Sequence, residues 1–266
     1  MSTMHVIKIL APPAFATASL TGRAVPDPSA WNDLHRSALL ASAAYAGCTE
    51  RAFDVTITKP IRSPVADSEG FVGYSEQRRT IAVVMRGSVS VQNLLTDVDT
   101  TPVTPVLSGV TFPPNVTVMN GIYRPWSAVH DDILTEVRAL LAQHPDYTLE
   151  STGHSLGGAL TYLSYIALAQ NFPGRKIAST ALAAFPIGNE VFAAFGTEQN
   201  GTMKRGNNAD DGVPNMYVLP PNDYKHYGVE YYSGGAPNST VRCEGERDPQ
   251  CSAGNGLASS HGVWTG

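Results

Sequence analysis

The chain has 266 residues, of which 42% are hydrophobic and only 15% are charged, whereas an average soluble protein has about 25% charged residues. This composition is typical of a packed globular protein and argues against a disordered chain. The formal net charge of −5 gives no support for a nucleic-acid-binding surface. No apolar run approaches the roughly 18 residues that a membrane-spanning helix needs. The 3 cysteines lack the spacing of a zinc site.

Several features of the sequence favour export. Residues 1–20 contain a short apolar stretch followed by small-x-small sequences, as in a secretion signal; the alternative is a disordered leader. N-glycosylation sequons begin at Asn115, Asn200 and Asn238. Residues 21–266 show no internal repeat and no low-complexity linker, so we expect them to form a single domain.

The cysteines are consistent with an oxidising compartment. Cys243 and Cys251 flank a short polar segment, and we expect them to close a small surface loop as a disulfide. Cys48 is then left over. It is either a buried free thiol or the partner of a cysteine beyond Gly266 in a longer chain.

The predicted elements alternate between helices and strands. In chain order, we expect a helix over 29–47, strands over 53–58, 81–85 and 116–119, an amphipathic helix over 121–143, a strand over 147–152, a helix over 156–169, a strand over 177–185, a strand beginning at 217–218 and a last strand over 226–232. Alternation of this kind predicts an α/β protein with a mostly parallel central sheet flanked by helices.

The pentapeptide at residues 153–157 has the pattern G-x-S-x-G, with Ser155 at its centre. It lies between a predicted strand and a helix rich in Ala and Leu, which is the strand–turn–helix setting of a nucleophile elbow. Such a turn strains the serine backbone and exposes the hydroxyl, while the glycines allow strand and helix to approach closely. The pattern predicts that Ser155 is a nucleophile; the alternative is an ordinary serine at a glycine-rich helix start.

Residues 152–160 resemble the elbow of the fungal class 3 lipases, a family that also contains feruloyl esterases. Four further stretches resemble motifs of that family in the same order, and the similarity runs from about residue 37 to residue 266. These stretches are 85–88, 121–123, 185–189 and 211–214. The resemblance implies an α/β-hydrolase fold. Asn120 departs from the family, which often has His at this position. Members of the family often bond a cysteine of the N-terminal helix to a C-terminal one. The resemblance is therefore relevant to the second alternative for Cys48, a partner beyond Gly266.

A serine nucleophile needs a base, and the base needs an orienting carboxylate. In α/β hydrolases these groups follow in the order Ser, acid, His, and only His226 and His261 follow Ser155 with room for an acid between. His226 falls in a predicted strand and is interpreted as structural. His261 lies in a Gly/Ser-rich terminal segment, so we assign it as the base. Residues 261–264 match the family's terminal His-x-x-Tyr-Phe pattern in part.

Asp211 is the predicted acid among the four aspartates between Ser155 and His261. It precedes a Gly-Val-Pro turn, which suits a loop at a strand end, and the resemblance also selects it. Asp210 remains the rival, since turn chemistry does not separate neighbouring loop positions. Asp248 lies in the expected disulfide loop, where we expect it to be solvated.

Two backbone N–H groups are expected to form an oxyanion hole. One belongs to Leu156, the residue after the nucleophile, and the other to Ser88, which follows the predicted strand at 81–85. The alternative for Ser88 is a plain strand-end turn. The resemblance to the family implies that the Ser88 hydroxyl assists in stabilising the oxyanion.

The segment after Ser88 carries four apolar residues at i, i+3, i+4 and i+7, which predicts an amphipathic helix. They are Val91, Leu94, Leu95 and Val98. A short amphipathic helix at this place is interpreted as a lid that covers the cleft in water and swings out at a lipid surface. The alternative is a helix packed permanently on the core, which has the same periodicity.

Together these features predict a secreted serine carboxylic ester hydrolase. We interpret it as a triacylglycerol lipase that works through an acyl-enzyme and a lid, without metal or cofactor. The expected ligands are lipid or ester small molecules, with transient contact at a lipid–water interface, and the expected state is a monomer. One alternative is a feruloyl or other soluble-ester esterase of the same family, and another is a catalytically inactive lipid-binding module on the same fold.

Overall fold

The computed structural model describes residues 24–63, 68–88, 98–234 and 236–257. Twelve strands lie in these ranges: β1 (Val25–Pro26), β2 (Arg51–Ala52), β3 (Val55–Ser63), β4 (Ser68–Ser75), β5 (Thr80–Met85), β6 (Pro102–Val103), β7 (Val118–Met119), β8 (Thr148–His154), β9 (Ile177–Leu182), β10 (Thr202–Asn208), β11 (Val229–Ser233) and β12 (Val241–Arg242). The α-helices of the same ranges are α1 (Trp31–Tyr45), α2 (Asn120–Ser127), α3 (His130–Gln143), α4 (Leu156–Asn171) and α5 (Glu190–Thr197). The expected leader at residues 1–20 lies outside these ranges.

Ten of the described strands form one sheet in the order β1-β12-β11-β10-β9-β8-β5-β4-β3-β2. The five central strands β5, β8, β9, β10 and β11 are parallel, and the strands at both edges pair antiparallel. β6 and β7 form a separate two-stranded ribbon. Because the central strands are parallel, their carboxyl ends meet at one edge, where open α/β sheets bind ligands.

The most apolar segments occupy the middle of the molecule. β5 has the sequence TIAVVM and is buried at every position, as expected of a central parallel strand covered on both faces. α4 is buried from Gly157 to Leu168 and packs on β8 and β9. None of the described helices is long and apolar enough to cross a membrane.

The helix predicted over 121–143 is two helices, α2 and α3. In a continuous helix the carbonyl of Pro125 would accept the N–H of Val129, but it accepts the hydroxyl of Ser68 at 2.7 Å. The Val129 N–H donates instead to the carbonyl of Trp126, which is one residue closer along the chain. The chain therefore changes direction, and Trp126 and Ile133 are both fully buried.

One further prediction of local structure is wrong, and the start of another predicted strand is displaced. No strand begins at residues 217–218, because Tyr217 has a φ of 61°, which ends any extended run. The last predicted strand begins at Val229, so His226 precedes it. β10, in contrast, was not predicted, since its sequence TMKRGNN lacks apolar alternation. Its buried Arg205 pairs with the buried Glu230 at 3.4 Å.

The predicted disulfide between Cys243 and Cys251 is confirmed. It connects the end of β12 to a short 3₁₀ turn at Ser252–Asn255. Cys48 is half-buried after α1, and among the described residues it has no disulfide partner.

Candidate active site

Three predicted site residues lie at the same edge of the sheet. Ser88 follows β5, Ser155 follows β8, and Asp211 follows β10. β5 pairs with β8, β8 with β9 and β9 with β10, all in parallel register. The carboxyl ends of these strands therefore lie together, which is where the fold places reactive groups.

Ser155 occupies a sharp turn between β8 and α4. Its φ of 59° and ψ of −123° are strained for a residue with a side chain. The Ser155 N–H donates to the carbonyl of Leu182 at the end of β9, and its carbonyl accepts the N–H of Ala159 in α4. The predicted elbow geometry is present at this residue.

The serine is less open than the sequence suggested, because only 2% of Ser155 is exposed. The loops that follow the neighbouring strands flank it. Gly87 lies so close to the His154 carbonyl that a Cβ at Gly87 would overlap it, and the Leu182 carbonyl accepts the Ser155 N–H. The expectation of an exposed serine is thus wrong.

The glycines on both sides of Ser155 permit the close approach of three segments. A Cβ at Gly153 would overlap the carbonyl of Gly157, and a Cβ at Gly157 would overlap the carbonyl of Met85 at the end of β5. These are backbone atoms and have little freedom to move away. The sequence pattern therefore reflects backbone contact between β5, β8 and the start of α4.

The same contact brings the oxyanion candidates near Ser155. Leu156 is the first residue of α4, and Ser88 lies two residues beyond Arg86, whose backbone faces Gly157. The Tyr45 hydroxyl lies 3.2 Å from His154 Nδ1 and also contacts the Gly87 backbone. Burial raises the pKa of Tyr45 to about 12, so this hydroxyl stays neutral. Tyr45 was missed at the sequence level, because its helical spacing in α1 indicated only core packing.

The two rival aspartates differ in their surroundings. Asp211 is 1% exposed, and one carboxylate oxygen accepts the N–H of Val213 at 2.9 Å. Asp210 is exposed and has a left-handed φ of 59°. A buried, oriented carboxylate fits the role of a triad acid, so the structure favours Asp211 over Asp210.

Asp248 is not solvated, contrary to the expectation from the sequence. It is 3% exposed, and its carboxylate accepts the N–H groups of Glu244 and Gln250 at 3.0 and 2.9 Å. Asp248 thus satisfies these two N–H groups from inside the disulfide loop.

His226 has both ring nitrogens engaged in the interior. Nδ1 lies 2.9 Å from the Tyr162 hydroxyl, and Nε2 lies 2.8 Å from the carbonyl of Pro214. Burial, with the nearby Arg205, lowers the pKa of His226 well below its usual value. These contacts fit the structural role that we assigned to His226.

His261 lies outside the described residues, but its distance along the chain from a described residue is short. It is the fifth residue after Gly256, and five residues span at most about 18 Å when fully extended. The Gly256 carbonyl accepts a hydrogen bond from Asn215, four residues after Asp211. An encounter between His261 and Asp211 is therefore within the reach of the chain.

The predicted lid falls mostly outside the described residues. Val91, Leu94 and Leu95 are not described, whereas Val98 is partly buried against the main core. The residues that follow are held firmly: Asn120 Nδ2 donates to the Asp99 carboxylate at 2.6 Å, and the Tyr224 hydroxyl donates to the Thr100 carbonyl at 2.6 Å.

One group of potential metal ligands occurs among the described residues, formed by Glu230, Cys243 and Cys251. The two sulfurs are bonded to each other. Glu230 pairs with Arg205 and accepts hydrogen bonds from Asn207 and Ser252. This chemistry explains the cluster without an ion.

The sequence matches known lipases over most of its length. A family profile described as Lipase (class 3) matches residues 82–220, more than half of the chain. A secreted alkaline triacylglycerol lipase of Penicillium cyclopium is 59% identical over 244 residues, which cover 92% of this chain and 86% of that protein. A secreted mono- and diacylglycerol lipase A of Penicillium camembertii is 30% identical over 180 residues, covering 67% and 56% respectively.

Solved structures show the same similarity. The crystal structure of a triacylglycerol lipase from Penicillium expansum matches with a TM-score of 0.88 and 58% identity, covering 90% of this chain and 94% of that one. A Rhizomucor miehei lipase propeptide complex matches with a TM-score of 0.75 and 26% identity, covering 87% and 77%. The predicted α/β-hydrolase fold is confirmed.

Proposed function

Since the chain belongs to the family of class 3 lipases, we propose that this carboxylic ester hydrolase is a secreted triacylglycerol lipase with a Ser155–His261–Asp211 triad. One observation carries the proposal: the strained Ser155 and the buried Asp211 share one edge of the parallel sheet. The Penicillium cyclopium relative, which is 59% identical, is named for a secreted triacylglycerol lipase, and this supports both the substrate and the export.

The triad explains the chemistry as follows. His261 takes the Ser155 proton as the serine oxygen attacks the ester carbonyl, and the protonated imidazole then delivers that proton to the departing alcohol. Water, deprotonated by the same imidazole, attacks the acyl-enzyme and releases the fatty acid. Asp211 fixes the tautomer of the imidazole and stabilises its charged form.

The negative charge of each tetrahedral intermediate needs donors in place before the reaction. The N–H of Leu156 and the backbone N–H of Ser88 supply them, and α4 adds the positive end of its dipole. Backbone contact between Gly157 and the end of β5 fixes the spacing of these two donors.

The proposed lid is the segment that would contact lipid. The apolar residues at 91, 94, 95 and 98 form one face of a helix in the sequence pattern. Ser155 is 2% exposed, and the proposed movement of the lid would give a triglyceride access to it. Binding of this apolar face to an interface would drive that movement, since such binding increases with buried apolar area.

The nucleophile is tested by labelling with an organophosphonate ester and locating the adduct by peptide mass spectrometry. We expect the adduct on Ser155, and we expect Ser155→Ala to lose labelling and to lower turnover by several orders of magnitude. Ser164→Ala is the matched control, because Ser164 is a buried serine of α4, the helix that begins directly after Ser155. Labelling with no adduct on Ser155 would overturn the assignment, and a folded protein without any adduct would indicate an inactive lipid-binding module.

The substrate class is tested by comparing emulsified triglyceride with methyl ferulate. A lipase shows a rise in rate as the triglyceride concentration passes its aggregation point. No rise at that point, together with preference for the aryl ester, would favour a feruloyl or other soluble-ester esterase instead.

A further inference from the structure

We propose that His226 is a positioning residue for the acid, because its buried imidazole connects the turn that orients Asp211 to the helix that begins after Ser155. This inference rests on the proposed function. His226 Nε2 lies 2.8 Å from the carbonyl of Pro214, three residues after Asp211. On the other side of the ring, Nδ1 lies 2.9 Å from the hydroxyl of Tyr162 in α4.

The partners of the imidazole fix which ring nitrogen carries the hydrogen. The Pro214 carbonyl only accepts hydrogen bonds, so Nε2 carries the hydrogen and donates it. Nδ1 then has a lone pair in the ring plane and accepts the Tyr162 hydroxyl. Burial and the positive charge of Arg205 lower the pKa of His226 well below its usual value, so the ring stays neutral. The imidazole is therefore a fixed donor to the turn.

The turn that receives this hydrogen bond is closely connected to the Asp211 carboxylate. One carboxylate oxygen accepts the N–H of Val213, the residue before Pro214, at 2.9 Å. Residues 213–215 form one 3₁₀ turn, and the whole segment 211–216 is buried. A shift of the Pro214 peptide would therefore move the Val213 N–H and, with it, the carboxylate that this N–H orients.

The position of the imidazole is fixed by groups outside the turn. The His226 N–H donates to the Glu246 carboxylate at 2.9 Å. The hydroxyl of the next residue, Tyr227, donates to the Tyr162 carbonyl in α4 at 2.6 Å. Because α4 begins directly after Ser155, these contacts relate the position of the acid-bearing turn to the helix at the elbow.

Loss of the imidazole donor should affect turnover more than substrate binding. The Pro214 carbonyl is in a buried segment, where an unsatisfied acceptor is unfavourable, so its peptide would shift towards another donor. A displacement of about 1 Å at an active site costs roughly 100-fold in rate. We therefore expect a lower kcat with KM nearly unchanged, because Asp211 acts on the reaction and does not hold the lipid.

Two substitutions of His226 separate the roles of the two ring nitrogens. The amide nitrogen of glutamine reaches the position of Nε2 and can donate to the Pro214 carbonyl, whereas the shorter asparagine reaches only the position of Nδ1. We expect His226→Asn to lower kcat by roughly 10- to 100-fold on emulsified triglyceride, measured per mole of folded full-length enzyme. His226→Gln should restore most of that loss. Equal losses in the two folded variants would overturn the proposal.

Tyr227→Phe is the matched control for a general loosening of the fold. It removes a buried hydrogen bond to α4 from the residue next to His226 and leaves the contact with Pro214 in place. We expect kcat close to that of the wild type. A loss of kcat as large as that of His226→Asn would overturn the proposal, because the effect would not depend on the donor to the turn.

A double-mutant cycle tests whether His226 acts through Asp211. If it does, His226→Asn should lower kcat little further in an Asp211→Asn protein, although it lowers kcat in the wild-type background. Independent, additive losses would overturn the proposal while leaving the triad assignment intact. Full activity of Asp211→Asn alone would instead refute the proposed triad, so the two failures are distinguishable.

A measurement on the wild-type enzyme keeps the proposal falsifiable if the His226 variants fail to fold. Nitrogen chemical shifts of isotope-labelled histidine identify the ring nitrogen that carries the hydrogen. The His226 signals are assigned through their proximity to Tyr162, whose ring centroid lies 6.2 Å away. We expect a neutral ring with its hydrogen on Nε2. A neutral ring with its hydrogen on Nδ1 would overturn the proposal, because Nε2 could not then donate to the Pro214 carbonyl.

Discussion

Gly157→Ala tests the idea that backbone contact between α4 and β5 sets the oxyanion hole. The added Cβ would overlap the Met85 carbonyl and lie 2.8 Å from the carbonyl carbon of Arg86. Overpacking of this kind costs about 1–3 kcal/mol, while alanine recovers up to about 1 kcal/mol of helix propensity. The expected net loss of stability is therefore no more than about 2 kcal/mol.

The effect on catalysis should be larger than the effect on stability. The helix relieves the overlap by moving away from the end of β5, which separates the Leu156 N–H from the Ser88 N–H. Loss of one oxyanion donor lowers kcat by about 100- to 1,000-fold. We expect a loss near the lower end of this range, because the donor is displaced and not removed.

The assay pairs urea denaturation with kcat per titrated active site. Gly73→Ala in β4 is the matched control, since its Cβ would overlap the backbone carbonyl of Thr56 and lie 3.0 Å from the Ile57 Cα, both on the neighbouring strand β3. It should lose similar stability and keep its kcat. Wild-type kcat in a folded Gly157→Ala protein, or equal losses of kcat in both variants, would refute the reasoning.

Three further predictions concern the acid, the disulfide and pH. Asp211→Asn should lower kcat by about 10,000-fold, while replacement of the exposed Asp210 by Asn should change it little in the same triglyceride assay; the reverse order would exchange the two roles. Replacing Cys251 by Ala opens a loop with a sequence separation of 8, which should lower the free energy of unfolding by about 2–3 kcal/mol, and unchanged urea denaturation would contradict this. Hydrogen bonds from Thr101 and Asn120 lower the pKa of Asp99 to about 2 from 3.8, so their contribution is present above about pH 4 and is lost as the pH falls towards 2. Asn120→Ala should reduce that acid-side loss in thermal denaturation curves, and identical curves for both proteins would contradict the prediction.

The strand β5 and the elbow were predictable because their signals are local. The apolar run of β5 and the Ser155 pentapeptide each carry their own pattern, and both occur where the sequence places them. The helix over 121–143 failed because the decisive contact comes from Ser68, a residue on β4 that no local pattern reveals.

β10 shows why the candidate acid was harder to place than the candidate nucleophile. Its sequence is polar, since Arg205 and Asn207 are buried in a hydrogen-bonded network with Glu230 from the next strand. Periodicity cannot identify a strand whose buried positions are polar. The assignment of Asp211 therefore rested on the turn that follows it and on the resemblance to the family.

The sequence by itself determined the fold class, the elbow and the chain order of the candidate triad, because these follow from short patterns of glycine, apolar residues and reactive groups. Only the tertiary structure decided that Asp211 is buried while Asp210 is exposed, that both nitrogens of His226 are engaged, and that Asn215 bonds to the Ser252–Gly256 segment. Each of these depends on which distant segments meet across the sheet. Burial and hydrogen bonding between such segments are properties of their packing and leave no trace in local residue order.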